Sequence, residues 1–308
     1  MLKPIDFSMW NVYDGASEGS GRSEKIWLKS DNGEIGLFKF PKINPSNNKE
    51  TTEHISEHLA HKIGNVIGVP TAKVDIGKYN NRIGCMSYFV CQENEILKEG
   101  IWFISAKFPK YDAEKMIDVD NNEYYCLGHL LEAVPGVLST TMWIRMMLFD
   151  FLIGNRDRHQ SNWAVLIKLE EDKSVRLRWC PLYDNGSSLC CYFDDADIPK
   201  LLGNDKNRFE SVVDSKSKSL IRIDGSKKSQ PSHREVVRYL LKNYGATKEI
   251  AKGFLEKLLP ETITELLAEY PEELLSKTKN EMICRFLNRK CQILNELLKE
   301  VDDSVEIE

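Results

Sequence analysis

GNRDRHQSNW (Gly154 to Trp163) follows the apolar run TTMWIRMMLFDFLI (Thr140 to Ile153) and precedes, by one hairpin's length, LYDNGSSL (Leu182 to Leu189). At 14 residues the apolar run falls short of the roughly 20 a membrane span needs, so it reads as a buried core helix. Gly154 ends that helix. Asp157 and Asn162 then stand five residues apart, with Arg158 and His159 between them. Trp163 to Leu169 and Ser174 to Cys180 make a hairpin closed by Glu170 to Lys173, which returns Asp184, in an Asp-Asn-Gly turn, close to Asn162. A lone Asp-x-x-x-x-Asn is common and often makes only a hydrogen-bonded turn. Its place between a buried helix and a second acidic turn sets this one apart.

Working outward, residues 1 to about 95 read as short strands with one inserted helix. Lys25 to Ser30 and Glu34 to Phe40 are strands joined at Asp31-Asn32-Gly33, and the alternation of EIGLFKF puts Ile35, Leu37 and Lys39 on one side. A helix starts near Thr51 or Thr52 and carries Glu53 and Glu57, with Gly64 loosening its end. Strands follow near Ala72 to Gly77 and Ile83 to Val90, across a Tyr79-Asn80-Asn81 turn. From Gln92 onward the pattern is helical: a helix over Leu127 to Leu138 interrupted at Pro135-Gly136, the apolar helix, and near-continuous helix over Arg234 to Glu300. Asp205 to Gln230 is polar and serine-rich, either a mobile activation-type segment or a surface loop. The expected fold is α+β and bilobal, protein-kinase-like, with a β-rich N-lobe over residues 1–95, a helical C-lobe over 96–301 and an acidic tail over 302–308.

The bulk composition narrows the function classes. A chain of 308 residues buries a substantial core, and 42% hydrophobic with 29% charged residues is ordinary for a globular protein. A formal charge of −5 provides no global attraction to nucleic acid or acidic membranes. MLKPIDFSMW lacks the basic region and apolar run of a secretory signal, so a cytoplasmic location is expected, with signal-less export left open. The eight cysteines are scattered, without a C-x-x-C pair or linked histidine spacing, and read as free thiols. Adjacent Cys190-Cys191 is a lipid or redox site, or more plainly part of an edge strand. Lys216, Lys218, Arg222, Lys227 and Lys228 read as a solvated loop or a patch for an acidic protein, and no nucleic-acid partner is expected.

An aspartate to orient a hydroxyl, together with an asparagine and an aspartate to hold Mg²⁺, is the set that phosphoryl transfer from ATP needs. Asp157 takes the first role, and Asn162 and Asp184, hard oxygen donors, take the second. His159 orients Asp157 or binds backbone at the hairpin base. Lys39 in an apolar strand calls for a buried anion; ATP phosphates and Glu57 are the natural partners. Lys42 or Lys29 replaces Lys39 if the register slips, and Glu53 rivals Glu57. In GASEGSGRS (Gly15 to Ser23), the amides around Gly19, Ser20, Gly21 and Ser23 can cradle phosphate, although a surface loop reads almost the same way. A phosphate on Ser20 or Ser23 would block nucleotide binding there. Tyr88, Phe89 and Val90 are placed to meet adenine at the hinge. The Walker A pattern is absent from the sequence.

Together these residues resemble the HipA-like serine/threonine kinases, bacterial relatives of the protein-kinase fold, and most of all their compact, stand-alone proinflammatory-kinase type. The resemblance covers Lys39 with the preceding loop, the helix with Glu57, GNRDRHQSNW, LYDNGSSL and, loosely, the helical tail. It implies ATP and Mg²⁺ as cofactors, Asp157 as the base-like residue, Asn162 and Asp184 as Mg²⁺ ligands, Lys39 as the ATP lysine, a protein substrate with a Ser/Thr acceptor, and autophosphorylation. A monomer is the default. Asp184 is followed by Asn185-Gly186 rather than Phe-Gly, so the in/out switch of that phenylalanine is not implied. The chain also starts almost at the loop, leaving no room for the extra N-terminal domain of toxin-type members. Type II phosphatidylinositol 4-kinases look similar at Asp-Arg-x-x-x-Asn-Trp and Asp-Asn-Gly. A lipid kinase, a small-molecule kinase and a pseudokinase binding module therefore stand as alternatives.

Overall fold

A computed structural model of the protein describes residues 1–15, 24–134 and 140–305. The first layer is built from β1 (Ile5–Asp6), β2 (Asn11–Val12), β3 (Lys25–Lys29), β4 (Ile35–Lys39), β5 (Ile43–Asn44), β6 (Lys49–Glu50), α1 (Glu53–Ile67), β7 (Val74–Tyr79) and β8 (Arg82–Tyr88). Six of these strands form one sheet in the order β1-β7-β8-β4-β3-β2, mostly antiparallel with β1 parallel to β7. Turn chemistry sets its register. Gly33, at φ 88, closes the β3–β4 hairpin, and Asn80 and Asn81, at φ 49 and 62, close β7–β8. Those left-handed conformations match the strand twist, and Gly and Asn adopt them most cheaply.

The sheet has two differently covered faces. Phe38 points to one side, into a cluster with Phe7, Leu28, Phe40 and Met86. Ile35, Leu37 and Lys39 point to the other, where they are half-buried. Helix α1 packs on β7 and β8 with Ile55, Leu59 and Ile63 fully buried. It runs past Gly64 and stops at Gly68, in the left-handed conformation at φ 74. Gly64 serves packing instead of termination: a Cβ there would come within 2.7 Å of Thr71 Cγ2 and 2.9 Å of the Val69 carbonyl.

The second layer contains β9 (Glu95–Glu99), α2 (Gly100–Lys107), β10 (Tyr111–Asp112), β11 (Ile117–Asp118), β12 (Glu123–Tyr124), α3 (Leu127–Ala133), α4 (Thr140–Ile153), β13 (Ala164–Leu169) and β14 (Val175–Trp179). It continues through α5 (Ile198–Leu202), α6 (Lys206–Glu210), α7 (His233–Asn243), α8 (Ala246–Lys257), α9 (Pro260–Ala268) and α10 (Lys277–Val305). The fold is thus bilobal and α+β, a curled N-terminal sheet on a C-terminal helical bundle. Helix α4 has Leu148, Phe149 and Ile153 fully enclosed, and packs against α7, α8 and α10. Among the described residues no helix is long and apolar enough to cross a membrane.

Two readings need correction. Asp205 to Gln230 is neither a free activation-type segment nor a plain surface loop. It holds α6 and a π turn (Ser211–Ser215), and it buries Val213, Ser217, Ser219, Ile221 and Arg222. Arg222 therefore leaves the basic patch, its guanidinium donating to the Lys228 carbonyl at 2.8 Å. Cys190-Cys191 lies in a turn rather than an edge strand, with Cys191 2% exposed and Cys190 partly buried. All eight cysteines are free.

Close packing inside the first sheet is testable at Gly84. A Cβ there would press on the Lys39 carbonyl and lie 2.7 Å from the Phe38 ring. Gly84→Ala should lower stability by about 1–3 kcal/mol through overpacking, read as a lower urea midpoint at unchanged m-value.

Candidate active site

Lys39 closes β4 on the face turned toward the second layer. Its Nζ lies 2.8 Å from Asp184 Oδ1 and 3.7 Å from Glu57 Oε2. Glu57, 2% exposed in the middle of α1, accepts the Asn185 N–H on its other oxygen at 2.9 Å. Burial works against the Lys39 ammonium, but Asp184 and Glu57 outweigh it and raise its pKa. Burial raises the Glu57 carboxyl despite Lys39 beside it. Asp184 is half exposed, and the charge of Lys39 holds it down at about 2. The stability its ionised form contributes is therefore complete above the unfolded value of about 3.9 and fades as pH falls through about 2. Lys42 pairs instead with Glu53, at 3.1 Å, and Lys29 stays exposed. The structure thus brings Lys39 and Glu57 to Asp184, and places their rivals Lys42 and Glu53 together next door.

Gly154, at φ 66, turns the chain out of α4. Asn155 holds the turn, with its amide on the Asp150 carbonyl at 2.9 Å and its side chain on Asp150 Oδ1 at 3.0 Å. Asn155 Oδ1 in turn receives the Asp157 N–H at 3.1 Å. The Asp157 backbone carbonyl accepts the amide of His159 at 2.9 Å and Asn162 Nδ2 at 2.7 Å. With Nδ2 committed to the backbone, Oδ1 is the Asn162 atom left for a ligand. His159 is held by the loop backbone, its Nδ1 accepting the Ser161 N–H at 3.1 Å. Burial raises the Asp157 pKa; His159 opposes the shift and the nearby charge of Asp184 adds to it.

Arg158 is the residue around which the loop closes. At 2% exposure it makes five hydrogen bonds: Nε and Nη2 to the Asp150 carboxylate (3.0 and 2.7 Å), Nη1 to the carbonyls of Asn162 (2.7 Å) and Tyr183 (3.0 Å), and Nη2 to Asn185 Oδ1 (2.6 Å). A guanidinium has five N–H donors, so none is wasted. Asp150, Asn155, Tyr183 and Asn185 were absent from the sequence-derived site. One signal could have found them: an aspartate inside the run MMLFDFLI must be paired if buried, and Arg158 lies two helical turns further on.

The amides of Tyr88 and Phe89 are taken by the carbonyls of Lys73 and Ile35, each at 2.9 Å, and the Val90 carbonyl accepts from Arg178 at 3.4 Å. Those three backbone groups are engaged within the protein. Gly19, Ser20, Gly21 and Ser23 lie outside the described residues.

Breaking a buried pair from one side strands the other charge. Arg158→Met should therefore cost about 3–5 kcal/mol, measured by urea unfolding. Lys42→Met removes a lysine that is 39% exposed and leaves Glu53 the Tyr192 hydroxyl as a donor, so it should stay within about 1 kcal/mol of wild type.

The chain is similar to several known proteins. Serine/threonine-protein kinase CtkA of Helicobacter pylori is 27% identical over 298 residues, 92% of this chain and 87% of that protein. The crystal structure of the Helicobacter pylori proinflammatory kinase CtkA superposes with a TM-score of 0.81 at 20% identity, covering 98% of both chains. HipA from a Shewanella oneidensis toxin–antitoxin complex with HipB and operator DNA superposes with a TM-score of 0.57 at 15% identity, covering 100% of this chain and 70% of that one. Those structural likenesses establish the kinase-like fold. Residues 17–248 match the family model of the HipA-like C-terminal domain, and the chain accordingly belongs to the HipA-like kinase family.

Proposed function

We propose that this protein is an ATP- and Mg²⁺-dependent serine/threonine protein kinase that also phosphorylates itself. The observation that carries the reading is the contact of Lys39 with both Asp184 and Glu57 beside the Asp157 loop. Lys39 and Arg158 face four carboxylates here, those of Asp150, Glu57, Asp157 and Asp184. The excess of negative charge sits on hard oxygens, which suits Mg²⁺. When bound, ATP with its metal ion supplies the γ-phosphoryl group and neutralises charge on the transferred oxygens.

The chain's own residues then divide the work. Asn162 and Asp184 would hold the metal, and Lys39, steadied by Glu57, would hold the nucleotide phosphates. Gly19, Ser20, Gly21 and Ser23 would offer amides to those phosphates, and the segment Tyr88 to Val90 would flank the adenine. Asp157, whose raised pKa makes it a better proton acceptor near neutrality, orients the serine or threonine hydroxyl of the substrate. His159 keeps the loop in shape. In this reading residues 1–95 form the nucleotide lobe, 96–301 the catalytic lobe and 302–308 a tail, in a cytoplasmic monomer acting on protein. The name of the Helicobacter pylori relative supports the choice of a protein acceptor.

Transfer from γ-labelled ATP with Mg²⁺, to a generic acceptor protein and to phosphoinositide vesicles in parallel, tests the reading. Label should reach the enzyme or the acceptor protein, and Asp157→Ala and Asp184→Ala should each reduce it by at least about 10²-fold. Label confined to lipid would replace the reading with a lipid kinase; ATP binding without transfer would replace it with a binding module.

The buried charge of Asp157 also has a measurable cost. Because its folded pKa is raised, the ionised form disfavours the native state at neutral pH, and the penalty disappears once both states are protonated. Ligand-free Asp157→Asn should melt above wild type at pH 7, and the gap should close below about pH 3.9, as followed by circular dichroism.

A further inference from the structure

Glu123, Cys126 and His129 gather where β12 leads into α3, and one donor atom from each lies within 4.8 Å of the others. Cys126 Sγ is 3.4 Å from His129 Nδ1. Bonds of about 2.3 Å to sulfur and about 2.0 Å to nitrogen at a tetrahedral angle give a ligand–ligand edge of about 3.5 Å. On the other side of the ring, His129 Nε2 stands 3.9 Å from Glu123 Oε2, too far for a hydrogen bond. His129 is 1% exposed, and this nitrogen has no hydrogen-bond partner. The hydroxyl of Tyr111, whose ring packs 5.8 Å from the His129 ring, is buried without a partner as well. Orphaned buried polar atoms cost about 1–3 kcal/mol each, so the cluster calls for a missing partner; one on Nδ1, beside Sγ, would fix the ring proton on Nε2 and turn that nitrogen into a donor facing Glu123.

The surroundings select what that partner is. Burial keeps the imidazole neutral, the form that binds a metal. Burial also raises the Cys126 thiol, while the amides of His129 and Gly128 aim at its sulfur and would support a thiolate. Gly225 closes the site: a Cβ there would lie 3.1 Å from Sγ and 3.1 Å from Glu123 Cβ. Arg222 is near enough for its charge to be felt at Cys126. A divalent ion with one thiolate and one carboxylate is neutral overall and adds no repulsion there. Sulfur, nitrogen and oxygen donors in a compact set suit zinc, and exclude magnesium and calcium, which want oxygen alone.

We propose that Cys126, His129 through Nδ1, and Glu123 form a zinc site, with water in the fourth position. Binding takes the thiol proton into solvent, and the ion then holds sulfur, imidazole and carboxylate together. It would brace the catalytic loop from a distance. Leu127 N–H reaches the Arg222 carbonyl at 2.9 Å and Tyr124 N–H the Gly225 carbonyl at 2.7 Å, while the Tyr125 hydroxyl accepts the indole N–H of Trp163 at 2.8 Å. The motif, Cys-Leu-Gly-His, is a linked cysteine–histidine spacing and corrects the reading that the sequence has none.

The test is metal content of the full chain after stripping with a chelator, reloading with zinc and desalting. Wild type should retain about one equivalent, as should Cys284→Ser, which controls for other thiols. Cys126→Ser and His129→Ala should retain none, and Glu123→Gln should bind at least about tenfold more weakly. Cobalt in place of zinc should show a thiolate charge-transfer band in wild type that Cys126→Ser abolishes. Zinc should raise the wild-type Tm and leave that of Cys126→Ser unchanged. No retained zinc in wild type, or retention undiminished in Cys126→Ser, overturns the site. Should His129→Ala fail to fold, Cys126→Ser and the half-exposed Glu123→Gln still decide.

Discussion

A guanidinium withdrawn from water must find a partner for every N–H it carries, and the C-terminal lobe is arranged around meeting that demand at Arg158. Its bonds reach α4 through Asp150, the loop through the Asn162 carbonyl, and the segment after β14 through Tyr183 and Asn185. Asn185 passes the constraint onward, since its amide is bound to Glu57 on α1. Glu57 is 3.7 Å from Lys39, and Lys39 returns to Asp184, the neighbour of Asn185. One closed circuit of charges therefore runs from the core helix to the N-terminal sheet and back. Breaking it at any buried member leaves an unpaired group on the next.

The circuit separates two kinds of atom. Those that position the site, in Asp150, Arg158, Asn155 and Asn185, are enclosed and hydrogen-bonded. Those proposed to meet substrate and metal keep a side-chain oxygen outside the circuit, even where, as at Asn162, the residue is buried. Asp157 is fixed through its backbone, while its carboxylate stays half-buried beside like charge. Asn162 has its amide nitrogen spent and its oxygen available. A rigid frame that leaves its reactive oxygens under-satisfied is what electrostatic preorganisation requires.

Much of this frame was legible in the chain because short-range rules governed it. Asp31-Asn32-Gly33 and Asn80-Asn81 supply the left-handed conformations their hairpins need, and Thr140 to Ile153 forms a helix with the limits its apolar run suggests. The alternation in β4 placed Lys39 opposite Phe38, which is why its partners could be named. Long-range packing hid the rest. Gly64 looks like a helix terminator, yet its lack of a side chain serves a contact with Thr71. The polar composition of residues 205–230 suggests solvent, yet Ser217 and Arg222 are buried because bonds to Lys290 and to the Lys228 carbonyl satisfy them. Strands β10 to β12 are two residues each, too short for an alternation to register.

The residue after Asp184 shows how a change of chemistry alters control of the site. A phenylalanine there could slide between apolar pockets, since its contacts are non-directional. Asn185 is 2% exposed; its side chain accepts from Arg158 at 2.6 Å, its amide donates to Glu57 at 2.9 Å, and its carbonyl accepts from Ser188 Oγ at 2.6 Å. Turning this residue outward would strand all three partners in the interior, two of them charged, at about 1–3 kcal/mol or more for each. Asp184 is thus held in the site by directional bonds, at φ 55, a conformation aspartate tolerates better than most residues. What stays adjustable is the half-exposed contact between Asp184 and Lys39. In the proposed reading a cation or phosphate arriving at the cleft would compete for that contact, so opening the site would exchange one ion pair and leave the backbone of the turn in place.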